Sequence, residues 1–175
     1  MSENRTYPDV TAVCCPDYAP ENVRAALLSA LEPIGGLDWV TDGMTVAIKA
    51  NLVSAMKPET AATTHPTVLC ELTKLLTERG AKVIIGDSPG GIYSAAYVGH
   101  VYSASGVRAC EECGAVLNDD FSQKNVRFPD GKVLHDFTYT AYLDRADAII
   151  DVCKLKSLHK LPFPVKLFQK VFRAF

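Results

Sequence analysis

Apolar residues along the chain fall into short runs and helical stripes that alternate. Val10 to Cys15 is an apolar run of strand length, and Val23, Ala26, Leu27, Ala30, Leu31 and Ile34 then recur at the spacing of one helical face before Gly35-Gly36. Met44 to Ala50 reads as a second strand. Val68, Leu69, Leu72, Leu75 and Leu76 mark a second helix that stops at Gly80, and Val83 to Ile85 is a third strand. Strand, helix, strand, helix, strand predicts a parallel sheet, because each helix must cover the face it returns across. The next stretch predicts two short helical pieces separated near Gly106, then a hairpin of residues 125–128 and 132–137 around Pro129-Asp130-Gly131. Ala148 to Cys153 closes the pattern as a buried strand. The expected fold is α/β: a largely parallel, doubly wound, Rossmann-like sheet with a β-hairpin insertion, its strands at 10–15, 44–50, 82–86 and 147–153.

Composition narrows this picture. A chain of 175 residues with 48% apolar side chains suits one α/β domain, expected over 1–160 and incomplete at its C-terminal end. The net charge of −2, with no basic run in the first 150 residues, argues against nucleic acid as a partner. After Asp151 there is no acidic residue but six cations, and residues 161–175 form an atypical basic tail. Its Leu167, Phe168, Val171, Phe172 and Phe175 share one helical face, a pattern that suits an accidental or truncated tail before a docked helix, with membrane contact ranked last. The N-terminus has no signal-peptide core, so a cytoplasmic protein with its six cysteines as thiols is expected.

In an open parallel sheet, ligands collect beyond the carboxyl ends of the strands. Three strands here end in polar groups: Lys49-Ala50-Asn51, Asp87-Ser88 with Gly90, and Lys154 with Lys156. The second helix begins Thr63-Thr64-His65-Pro66, so its free N–H groups would face the same crevice and favour an anion. Each residue also has a purely structural use. Asp87 suits an Asx turn, Lys49 a solvated strand end, and Thr63-Thr64 an ordinary cap. No phosphate loop, dinucleotide fingerprint or nucleophile elbow is present, which leaves Ser88 a ligand contact rather than a nucleophile. Cys110 and Cys113 have metal-like spacing, but no second pair follows to close a site, so they are read as structural and no metal ligand is assigned.

The motifs Lys49-Ala50-Asn51-Leu52, Thr63-Thr64-His65-Pro66, Gly86-Asp87-Ser88-Pro89-Gly90 and Lys154-Leu155-Lys156 resemble the uncharacterised bacterial and archaeal family catalogued as domain of unknown function 362. The resemblance runs from about Val10 to Ser157. It implies an α/β domain often accompanied by a ferredoxin-type module, and it implies no established reaction. Lys49, Asn51, Thr63, Thr64, His65, Asp87, Ser88, Gly90, Lys154 and Lys156 match its motif positions. This chain lacks a cluster-type cysteine run, so no cofactor is expected in it, and a 4Fe-4S cluster would belong to a missing or partner module. Two functions are therefore expected. The first is binding of a small anionic metabolite, carboxylate or phosphate, with Asp87 as tentative general base. The alternative is a non-catalytic redox-associated module working with a ferredoxin-type protein.

Overall fold

Both long helical stripes become helices in a computed structural model that describes residues 10–154. α1 covers Pro20–Leu31 and continues into a short 3-10 turn ending at Gly35, while α2 covers Pro66–Thr77. Proline opens each helix, where its missing N–H costs no hydrogen bond. At α2 the His65 side chain also caps, its Nδ1 accepting from Thr67 N at 3.3 Å.

Four strands form one parallel sheet: β1 (Thr45–Ala50), β2 (Lys82–Gly86), β3 (Ala115–Leu117) and β6 (Ala148–Val152). Their order is β3-β2-β1-β6, so β1 is central and the chain returns to its far side only with the last strand. Between β2 and β3 lie α3 (Ala95–Ala104) and the short α4 (Ala109–Glu112), on either side of Gly106 as the sequence predicts. β4 (Gln123–Arg127) and β5 (Asp136–Thr140) make a separate antiparallel hairpin, and a 3-10 segment at Ala141–Arg145 leads back to β6.

The alternating faces of the strands set the layers. Val46 and Ile48 of β1, Val83 and Ile85 of β2 and Ile150 of β6 share one core with Leu69, Leu72, Leu75 and Leu76 of α2 and with Val98 and Val101 of α3. Residues of the other parity, Lys49, Gly86 and Asp151, lie side by side in register on the opposite face. Gly86 is required there: an added Cβ would lie 2.6 Å from Tyr142 Cζ and 3.0 Å from Asn118 Cβ. Tyr142, 1% exposed, therefore sits over Gly86 next to Lys49.

Two expectations are corrected. Val10 to Cys15 is not a strand, because Thr11 Oγ1 donates to Ala30 O at 2.7 Å and ties the segment to α1 rather than to a sheet edge. The fourth strand is instead Ala115–Leu117. The hairpin exists, but its second strand is 136–140 rather than 132–137, because Phe128 N donates to His135 O and turns Val133 and Leu134 into an exposed loop. The basic tail at 161–175 and Lys156 lie outside the described residues. Among the described residues no helix is long and apolar enough to cross a membrane.

Candidate functional site

Lys49 is placed by strand alternation: its neighbours Ile48 and Ala50 enter the core, so its own side chain must take the opposite face. Its Nζ donates to Asp87 Oδ1 at 3.1 Å and to Ala50 O at 3.1 Å. An ammonium has three N–H groups, and the third has no acceptor among the described residues. Asp87 is 6% exposed and accepts three donors: Leu52 N on Oδ2 at 2.6 Å, and Ser88 N at 2.8 Å with Lys49 on Oδ1. It thus ties the chain leaving β1 to the chain leaving β2 and holds the lysine between them. Asp87 serves both a turn and the polar cluster.

On the other side of Lys49 stands Asp151, its direct partner in the β1–β6 register. Its Oδ1 is buried and has no hydrogen-bond partner. Burial pushes its carboxyl above the ordinary range; the Lys49 charge works against that shift and the Asp87 charge adds to it.

A second polar group occupies the α2 side of the same edge. Thr64 Oγ1 donates to Val152 O at 2.7 Å and accepts from Asn51 N at 3.0 Å, while Thr64 N donates to Asn51 O, so one threonine joins the ends of β1 and β6 to the start of α2. Asn51 Nδ2 donates to Ala62 O at 3.1 Å. Thr63 is buried and its hydroxyl has no hydrogen-bond partner. His65 stacks on Tyr18 with ring centroids 3.8 Å apart, and Lys154 Nζ donates to the Tyr18 hydroxyl at 2.9 Å. Burial, then the Lys154 charge, lowers the His65 pKa and favours the neutral ring. Gly90 is used in the loop itself, its N donating to Val53 O at 2.7 Å and its O accepting from Tyr97.

The predicted residues thus meet on one carboxyl edge but as two groups. Lys49, Asp87 and Ser88 form one; His65 and Lys154, with Tyr18, form the other; Asn51 and Thr64 join them. Lys49 and Ser88 open on a cavity of about 350 Å³ whose remaining wall comes from the hairpin and the 3-10 segment: Gln123, Thr138, Tyr139, Thr140, Tyr142 and Leu143. The hairpin residues, Tyr18 and Asp151 were not anticipated. Asp151 left a trace, as the carboxylate interrupting the apolar run Ala148 to Cys153; the hairpin wall left none.

The cysteines do not form a cluster site. Cys70 and Cys110 are buried with sulfurs 3.5 Å apart between α2 and α4, a contact that, with burial, drives the Cys70 thiol pKa upward. Burial raises Cys113 to about 11. These are packing thiols, and among the described residues no group of three or more His, Cys, Asp or Glu is placed to hold a metal ion.

A parallel α/β sheet with polar residues gathered at its carboxyl edge is an architecture shared by many unrelated proteins, and fold alone does not set function. This chain belongs to the family described as domain of unknown function (DUF362), which it matches over residues 46–161. It is also similar to a thylakoid-associated protein of Synechocystis sp., 36% identical over 73 residues that make up 41% of this chain and 23% of that protein. The matched segment therefore spans about a quarter of that relative's length. No solved structure matches the chain.

Proposed function

We propose that the carboxyl edge binds a small anionic metabolite, a carboxylate or phosphate, with Lys49 as its counter-charge. One observation carries this reading: among the described residues Lys49 supplies the only formal charge in the cavity wall, and its third N–H group has no acceptor among them. Its pairing with Asp87 fixes the ammonium in place, so little side-chain entropy is lost on binding. Asp87, with three donors on its oxygens, acts here by positioning Lys49 rather than as a base. Asp151, its buried oxygen unpartnered beside Lys49, lies outside the cavity wall and takes no proton-transfer role in this reading. Lys154, held on Tyr18 beside the neutral His65 ring at the start of α2, adds a further positive charge on the same edge. Free cysteines throughout the described residues suit a reducing cytoplasm.

Differential scanning fluorimetry with phosphate, acetate and citrate tests the reading. Ligand at about 100 times its Kd adds roughly 2.7 kcal/mol, a shift of several degrees for a domain of this size. Lys49→Met is expected to abolish the shift. Retention of the full shift in that variant, or no shift in the parent with any of the three anions, rejects it. The alternative, a non-catalytic module serving a 4Fe-4S ferredoxin-type partner, rests on the family resemblance alone. Anaerobic co-purification with iron and sulfide analysis tests it.

A further inference from the structure

The wall facing Lys49 carries more information than the lysine. Strand alternation and the register Gln123↔Thr140 and Asn125↔Thr138 put these four side chains on one face of the hairpin, and Gln123, Thr138 and Thr140 line the cavity. Thr138 Oγ1 donates to Asn125 Oδ1 at 2.5 Å, which orients that hydroxyl and leaves its lone pairs to accept. The Ser88 hydroxyl and the Gln123 amide have no side-chain hydrogen bond among the described residues. A cavity of about 350 Å³ is also far larger than the roughly 30 Å³ occupied by one water. An anion of a few atoms would leave most of it wet.

We propose that the anion held by Lys49 is polyhydroxylated, a sugar phosphate or sugar acid, whose hydroxyls pair with the Ser88, Gln123, Thr138 and Thr140 side chains. This rests on the anion reading above and narrows it. The hydroxyl and amide groups in this wall, set among Tyr139, Tyr142 and Leu143, reward a ligand that returns hydrogen bonds as well as packing on the rings; a purely apolar chain would leave those groups desolvated and unpaired. Among the described residues the wall itself includes no carboxylate; Asp87, paired with Lys49, and Asp151, beside it in the sheet, lie outside that wall.

Titration calorimetry with inorganic phosphate, glucose 6-phosphate, gluconate, hexyl phosphate and neutral glucose tests the proposal. Glucose 6-phosphate or gluconate is expected to bind at least about tenfold tighter than both hexyl phosphate and inorganic phosphate, since two or three good hydrogen bonds account for that factor. Whichever of the two binds tighter shows whether the anionic group is a phosphate or a carboxylate. Thr138→Val and Gln123→Leu should each remove most of the excess, and Thr138→Ser should restore it. Hexyl phosphate binding as tightly as glucose 6-phosphate overturns the polyol inference, while phosphate binding that is lost in Lys49→Met still supports the anion reading. Neutral glucose matching glucose 6-phosphate overturns the anion reading and this inference with it, as does absence of binding by all five compounds. Because the Gln123 and Thr138 substitutions lie on the exposed hairpin, unchanged melting temperatures verify that those variants remain folded.

Discussion

Asp87 is a small residue with three separate duties, and its removal distinguishes them from ordinary turn chemistry. Truncation to alanine leaves Leu52 N and Ser88 N without their acceptor and Lys49 without its counter-ion. Each unpaired buried donor costs about 1–3 kcal/mol, so Asp87→Ala is expected to lower the free energy of urea unfolding by about 2–4 kcal/mol. A loss of a few tenths would mean that water replaces these bonds freely. Asp151 makes the opposite case. Its carboxyl is raised above 3.8 in the folded chain, so above that pH the folded state holds the proton more tightly than the unfolded chain does. Its contribution to stability is fully present below the ordinary value and is lost as pH rises through the raised one. Asp151→Asn should therefore remain comparatively stable as pH rises from 4 to 7, where the parent loses ground. Parallel declines in urea midpoint for the two proteins would contradict this.

At the level of elements, Gly86 shows how a strand makes room for a site. Tyr142 occupies the space where a side chain would project, and Gly86→Ala forces it off. Overpacking of this kind costs about 1–3 kcal/mol, so circular dichroism should record a melting temperature lower by several degrees. The double variant Gly86→Ala, Tyr142→Leu should recover part of the loss. The elements legible in the sequence were those long enough to show a period: α1, α2, β1, β2 and β6 each carry an apolar stripe or run, and the strand-end residues Lys49, Asp87 and Lys154 followed from their boundaries. Ala115–Leu117 is three residues long and pairs along one edge only, too short for any period to register. Val10 to Cys15 had the composition of a strand but no neighbour to pair with. The hairpin's turn was visible, whereas its register depends on where the loop closes. That closure alone decides which of its side chains face Lys49.

Across the whole molecule, the order β3-β2-β1-β6 puts the strands most distant in sequence next to each other. Thr45 N donates to Asp147 Oδ2 at 2.8 Å across 102 residues, and every polar link between the β1 and β6 ends spans a comparable separation. Contacts of this range form late, after the closure entropy of the intervening chain has been met. The segment from Thr45 to Leu117 can pair β1, β2 and β3 without β6, but it cannot set Asp151 beside Lys49 or bring Thr64 to Val152. The hairpin and the 3-10 segment that form the cavity wall are anchored at their far end by β6, so in the reading proposed above binding would need the last strand as well as the first three. A chain ending at Ala146 should retain much of its far-ultraviolet signal yet gain no stabilisation from phosphate. In stopped-flow refolding of the complete chain, ligand protection should appear only in the slowest phase.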